Sequence, residues 1–173
     1  MSKIEQLRTT LVSKLPPQTP GSVWLNPIHY IACGFGVGCL PIIPGTFATL
    51  IGVAVALILS TMDLSTSLCV ILLMNATGIL LCGKTNRDFN AADHPAACFD
   101  EIAAFPICMM GINATITNLI MAFVLFRALD ILKPPPINWI DKNVHGGIGV
   151  MLDDIIAAMI TLLCMHGVSQ IFR

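Results

Sequence analysis

The stretch Leu64–Gly83, LSTSLCVILLMNATGILLCG, contains no Asp, Glu, Lys or Arg and decides the fold class. A membrane-spanning helix needs about 20 mostly apolar residues, and this stretch has that length and character. Ile102–Phe126 and Ile155–Phe172 are also free of charge, and the charge-free stretch Leu15–Met62 contains the apolar run Phe47–Leu59. These stretches predict an all-α protein, a compact helical membrane bundle with about 4–5 membrane-embedded helices, some of them short or re-entrant.

The composition of the chain favours a membrane protein over a soluble bundle. Of its 173 residues 55% are hydrophobic and only 11% are charged, and the mean hydropathy is +0.83. Soluble domains carry about 25% charged residues, so little polar surface remains to coat such helices in water. The formal net charge of -1 provides no basic surface for nucleic acid. We expect a single helical domain at residues 26–173 after a polar, Pro-rich lead-in at residues 1–25, with no cleavable signal peptide.

Charges between the apolar stretches predict which side of the membrane each loop faces. Lys and Arg residues occur in the N-terminus, in segment 84–101 and in segment 127–154, and the positive-inside rule places these parts in the cytoplasm. Asp63 and an uncharged polar turn at 111–118 then face the opposite side, with a short helix on each side of that turn. Most acidic residues fall in the two later cytoplasmic segments, and ionisable groups at a membrane boundary are candidates for a functional site.

Two acidic pairs form a candidate metal site. Asp100-Glu101 and Asp153-Asp154 are each predicted to open an apolar helix. An acidic pair in the first turn of a helix also interacts favourably with the helix dipole, and this interaction needs no metal. Two pairs on one membrane face repel each other unless a cation offsets them, and carboxylate oxygens select magnesium, calcium or manganese. Magnesium usually binds one or two carboxylates together with water and a substrate phosphate, so a phosphate-handling site is expected.

The segment Arg127-Ala-Leu-Asp130-Ile-Leu-Lys133 adds cations to this acidic side. Spacing of three residues predicts that Arg127, Asp130 and Lys133 share one helical face, and Pro134–Pro136 end the helix. The cations could merely complement the helix dipole or anchor the helix at the membrane. In the functional interpretation Asp130 binds metal while Arg127 and Lys133 hold phosphate oxygens.

Three further motifs differ in what they predict. Thr46, after Pro44-Gly45, is expected to cap a helix whose free N–H groups could also bind phosphate. His94 and His145 are candidates for proton transfer near neutral pH, although loop histidines are more often solvated. Gly78–Thr85 matches the nucleotide phosphate-loop pattern, but its middle residues are bulky and apolar and end a predicted span, so we reject nucleotide binding there.

Four motifs in order resemble the phosphatidylglycerophosphatase A family, and together they run from about Asn26 to Thr161. They are Gly34-Phe-Gly-Val-Gly38 with Pro44-Gly45-Thr46, Asp93-His94 with Asp100-Glu101, Phe126-Arg127-x-x-Asp130-x-x-Lys133-Pro134, and Gly146-Gly147-x-Gly149-x-Met151-x-Asp153-Asp154. The resemblance implies an all-helical, Mg2+-dependent enzyme of the bacterial inner membrane. Such an enzyme removes the terminal phosphate of phosphatidylglycerol phosphate, a lipid substrate, to give phosphatidylglycerol.

Within this interpretation the acidic residues bind metal and the cations stabilise charge on the phosphoryl group. The expected metal ligands are Asp100, Glu101, Asp130, Asp153 and Asp154. The candidate catalytic residues are Asp100, Lys133, Arg127, Thr46 and His94. Direct attack by water is favoured, with Asp100 as the alternative nucleophile, and no protein partner is implied. Two other hypotheses stay open: a non-enzymatic membrane transporter or assembly subunit with carboxylates on an ion path, and a soluble phosphatase of the same family.

Overall fold

The computed structural model describes residues 20–171, with side chains described as far as Val168. Within this range the chain is helical and contains no strand, which confirms the all-α prediction. Its α-helices are α1 (Pro27–Ala32), α2 (Pro44–Leu59), α3 (Leu64–Asp88), α4 (Phe99–Ala104), α5 (Ile116–Leu132), α6 (Ile137–Asn143) and α7 (Gly146–Ile171). Short 3-10 helices occupy Gly21–Trp24, Gly34–Cys39 and Phe105–Met109. Most of the lead-in, with Lys3, Arg8 and Lys14, lies outside the described residues.

Two helices, α3 and α7, are long and apolar enough to cross a membrane. Only 22% of the apolar part of α3 is buried within the protein, and Leu72 and Leu80 on this helix are 61% and 72% exposed. An apolar helix with this much exposed surface is suited to contact lipid on one side. The apolar helix α2 is shorter, with 16 residues. The bundle therefore combines two full-length candidate spans with shorter helices.

The two long helices approach each other backbone to backbone near the carboxylate end of the bundle. A Cβ atom on Gly147 would overlap the carbonyl oxygen of Ile79 and lie 2.9 Å from Cα of Gly83. Small residues permit such close approach where membrane helices pack. The phosphate-loop pattern Gly78–Thr85 lies wholly inside the continuous helix α3, which confirms its rejection as a nucleotide-binding loop.

The short helix α4 carries Asp100 and Glu101 into the protein interior near one end of the bundle. It packs against α2, α3 and α7. Its apolar residues Ile102 and Ala103 are 1% and 0% exposed, and Asn75 of α3 donates a hydrogen bond to the carbonyl of Ala103 at 3.0 Å. The following 3-10 helix ends at Met109, the chain turns, and α5 returns from Ile116. The predicted pair of short helices around a polar turn is thus confirmed.

Two predicted helix starts are wrong. Helix α2 begins at Pro44, and Thr46 lies inside its first turn without capping it, because proline itself suits the first helical position. Helix α7 begins at Gly146, so Asp153 and Asp154 lie about two turns inside it. The predicted start of α7 was placed where charge meets the apolar run. In the structure Asp153 pairs with Lys133, and Asp154 meets the carboxylates of α4, so both residues sit within the helix instead of at its start.

Candidate functional site

Three carboxylates from two helices converge at one end of the bundle. Asp100 and Glu101 of α4 face Asp154 of α7, and one oxygen from each lies within 4.8 Å of the other two. Asp100 is 8% exposed and Asp154 is 3% exposed. Oxygens at these separations can share a single cation, which would also offset the repulsion between buried negative charges. The structure therefore brings three of the five predicted ligands together.

Two buried oxygens of this cluster have no hydrogen-bond partner within the described residues: Oε2 of Glu101 and Oδ2 of Asp154. A buried acceptor left unsatisfied costs about 1–3 kcal/mol, and more if it is charged. A divalent cation would satisfy both oxygens together. An all-oxygen donor set of this kind fits the hard cations magnesium, calcium and manganese.

Arg127 lies beside the cluster as a buried counter-charge. Its NH1 atom donates a hydrogen bond to Asp130 at 2.5 Å and lies 3.6 Å from Oε1 of Glu101. Its Nε atom is buried without a partner among the described residues. Gly45 in the first turn of α2 closes this side, since a Cβ atom there would overlap the Glu101 carboxylate and lie 3.3 Å from the Arg127 guanidinium. Arg127 thus links the fourth predicted ligand, Asp130, to the cluster.

Lys133 forms a second charged group with the fifth predicted ligand. Its Nζ atom lies 2.6 Å from Asp153 and 2.5 Å from Asp141. Lys133 ends α5 in the left-handed region, with φ of 42°, and its side chain bonds to α6 and α7. The predicted common face with Arg127 is therefore wrong for Lys133, because a residue past the helix end leaves the helical spacing. Burial alone would lower the pKa of Lys133, but its hydrogen bonds to Asp141 and Asp153 raise the pKa by more than that. The pKa of Lys133 therefore lies above its usual value, and the residue stays a cation.

Asp141 is the site residue that sequence reasoning undervalued. It stands alone in the short helix α6, and no spacing rule relates it to Lys133 across the intervening prolines. With Asp93 and Asp153 it lines a cavity of about 120 Å³ that also includes His145. Removal of water by the surrounding protein, and then the charge of Asp153, raise the pKa of Asp93, although the residue keeps exposed surface. This cavity lies next to the carboxylate cluster, since Asp153 precedes Asp154.

His94 and Thr46 are not among the converging groups. The ring of His94 packs edge-on against Phe89 at 5.0 Å, and its Nδ1 atom accepts a hydrogen bond from the backbone of Ala96 at 3.2 Å. Burial lowers the pKa of His94, so the ring is neutral near pH 7. These contacts hold the loop before α4 rather than reach the carboxylates. Thr46 lies nearer, directly after Gly45, which contacts Glu101.

Most of the chain matches one known protein family. Residues 30–169 match the family Phosphatidylglycerophosphatase A. Phosphatidylglycerophosphatase A of Escherichia coli strain K12 is 38% identical over 137 residues, which cover 79% of this chain and 80% of that protein. The protein of the same name from Haemophilus influenzae is 36% identical over 152 residues, which cover 84% of this chain and 90% of that protein.

A third relative has a different name. A protein of Bacteroides thetaiotaomicron is 30% identical over 141 residues, 77% of this chain and 87% of its own, and its name proposes a phosphatidylinositol-3-phosphatase. No solved structure matches the chain. The matched range spans most of the chain, and the carboxylate cluster, Arg127 and Lys133 all lie within it. The chain therefore belongs to the phosphatidylglycerophosphatase A family.

Proposed function

We propose that this protein is a phosphatase that removes the terminal phosphate of phosphatidylglycerol phosphate, giving phosphatidylglycerol for phospholipid biosynthesis, with Mg2+ as its cofactor. The observation that carries the proposal is the convergence of Asp100, Glu101 and Asp154, with two buried oxygens that lack partners. The proposed substrate follows from the name of the family, and the all-oxygen donor set supports a hard divalent cation.

In the proposed mechanism, Asp100, Glu101 and Asp154 would hold the cation, and the chemistry that it would supply is polarisation of the phosphoryl group and a lower pKa of a water molecule. Arg127 keeps Asp130 and Glu101 in place and offers its unpartnered Nε as a donor. Lys133 provides a second positive charge, which stabilises the negative charge that develops on the phosphoryl oxygens during the reaction. Water is the favoured nucleophile, and the Asp100 carboxylate is the alternative.

We further propose that the protein crosses the bacterial inner membrane several times, with the carboxylates on the cytoplasmic side. A cavity of about 340 Å³ is lined by both Met62 and Gly111, so the loop near Asp63 and the 110–115 turn lie at one end of the bundle. In residues 20–171, Asp63 is the only acidic residue at that end. An ion path through the bilayer, the transporter alternative, finds no support in this one-sided distribution.

Phosphate release from phosphatidylglycerol phosphate tests the proposed function directly. Purified protein in mixed micelles should release phosphate with Mg2+ and lose that activity when a chelator is added. Phosphatidylinositol 3-phosphate serves as the competing substrate, because one relative is named for it. Release from the inositol lipid alone would contradict the proposed substrate, and full activity in chelator would contradict the proposed cofactor.

Reporter fusions test the proposed topology. A periplasm-active reporter inserted next to Asp63 should be active, and the same reporter next to Asp141 should be inactive. The physical reason is the excess of Lys and Arg around the carboxylate end, which retains those loops in the cytoplasm. Equal reporter activity at both positions would show that the two ends of the bundle face the same compartment, and the topology would be wrong.

A further inference from the structure

Residues 21–43 form an uncharged, apolar surface at the carboxylate end of the bundle, which we call the 21–43 surface. The segment contains no Asp, Glu, Lys or Arg. Its exposed large apolar side chains, each between 38% and 89% exposed, are Trp24, Leu25, Tyr30, Phe35, Leu40, Ile42 and Ile43. Single exposed apolar residues are common, but a group of this size without a charge marks a surface that contacts something other than water.

The 21–43 surface is attached next to the carboxylate cluster. Nε2 of His29 lies 2.8 Å from Asp88 at the end of α3, and the carbonyl of Ala32 accepts a hydrogen bond from the Cys98 backbone at 3.0 Å. A Cβ atom on Gly38 would overlap the backbone carbonyl of Ala96, so the segment packs closely on the loop before α4. Cys98 lies only two residues before Asp100. The surface and the site therefore share one end of the bundle.

Aromatic side chains give the 21–43 surface an ordered shape. The ring of Tyr30 lies 6.1 Å from that of Trp24 and 6.0 Å from that of Phe35. Gly36, with φ of 93°, makes room for this cluster, since a Cβ atom there would lie 2.9 Å from the Trp24 ring. Phe35 has φ of 59° and yet is 53% exposed. A bulky residue rarely adopts this left-handed conformation, and here it leaves about half of the Phe35 side chain outside the protein.

We propose that the 21–43 surface inserts into the headgroup–acyl boundary of the leaflet next to the carboxylate cluster. Trp and Tyr side chains prefer this boundary, because their rings are apolar and their N–H or O–H groups remain hydrated. The surface also runs directly into α2, because the backbone of Phe47 donates a hydrogen bond to the carbonyl of Ile43 at 3.4 Å, and Phe47 and Leu50 are 43% and 49% exposed. Lipid that covers the exposed face of α2 would also reach the 21–43 surface at Ile43, which favours a bilayer over a protein as the occupant.

Insertion at this depth would bring lipid headgroups to the carboxylates while their acyl chains stay in the bilayer. A substrate lipid could then move sideways from the leaflet into the site. This consequence rests on the proposed function, whereas the insertion itself does not. If the protein does not hydrolyse the lipid, the proposed function fails, but the insertion is still tested by the separate measurement below.

Tryptophan fluorescence with brominated lipids measures the insertion. The chain has two Trp residues, so Trp139→Phe leaves Trp24 as the sole emitter. The protein is placed in vesicles of phosphatidylcholine and phosphatidylglycerol, with bromine either near the ester end or near the methyl end of the acyl chains. Emission from Trp24 should be shifted to the blue, quenched more by the shallow bromine than by the deep one, and little affected by aqueous iodide.

Two matched variants calibrate the depth, each with both native Trp residues changed to Phe. Leu72→Trp, on the exposed face of α3, should be quenched most by deep bromine, and Lys142→Trp, in the exposed part of α6, should be quenched by iodide. If Trp24 behaves like the Lys142→Trp reference, the surface faces water and the proposal is wrong. Protection of Trp24 from both iodide and bromine would show that protein covers it, and this result would also overturn the proposal.

Discussion

Asp154→Asn is expected to reduce phosphate release about a thousandfold, because a metal ion contributes several kcal/mol to such a reaction and each 1.36 kcal/mol is a factor of ten. Asp154 is the most buried member of the carboxylate cluster, at 3% exposure, and one of its oxygens has no partner among the described residues. The Asn side chain keeps the size of Asp but removes a negative ligand. The loss should appear both in activity at saturating Mg2+ and in the affinity for Mg2+ measured by calorimetry.

Thermal unfolding separates loss of the ion from loss of the fold. Without divalent cation, Asp154→Asn should be at least as stable as the parent, because one of several like charges has been removed. Added Mg2+ should raise the melting temperature of the parent but not of the variant, since an ion that binds only the folded state stabilises it. Asp63→Asn at the opposite end is the matched control and should retain the Mg2+ effect. Near-normal activity of Asp154→Asn would refute its role as a ligand.

Lys133→Met is expected to reduce phosphate release about a hundredfold to a thousandfold, the usual effect of removing one group that stabilises transition-state charge. The substitution also leaves Asp141 and Asp153 without the cation that lies 2.5 Å and 2.6 Å from them. Methionine fills a similar volume, so the packing at the end of α5 is largely kept. Activity should be followed as kcat and KM, together with the Mg2+ affinity.

The same measurements distinguish two roles for Lys133. If its ammonium group stabilises charge on the phosphoryl oxygens, kcat falls and the Mg2+ affinity stays near that of the parent. If it mainly positions Asp153 beside Asp154, the Mg2+ affinity changes as well. Lys84→Met is the matched control: Lys84 pairs with Asp88 at a more exposed position, where solvent screens the ion pair and its loss should have little effect. An unchanged kcat in Lys133→Met would contradict both roles.

Much of the architecture could be predicted from the sequence, because hydropathy and charge act locally. The charge-free run Leu64–Gly83 indicated the long apolar helix α3. The polar turn near Gly111 indicated a short helix on each side of it. Pro134–Pro136 indicated the end of α5, since proline cannot continue a helix. These features follow from the chemistry of neighbouring residues and need no knowledge of the fold.

Other predictions failed where burial overrode the local pattern. Asp153 and Asp154 were expected at the start of a helix, since a charge usually marks the boundary of an apolar run. In the structure α7 already begins at Gly146, so both carboxylates lie within the helix. There they face α4 and Lys133 instead of water.

The sequence by itself determined that the chain forms apolar helices with most of its acidic residues at one side, because composition and spacing are properties of the chain alone. Only the tertiary structure decided which carboxylates meet. Asp100, Glu101 and Asp154 come together because α4 packs against α7, and this contact joins residues more than fifty positions apart. The same packing assigned Lys133 to Asp141 and Asp153. Contacts between distant segments depend on how helices fit against each other, which no local pattern specifies.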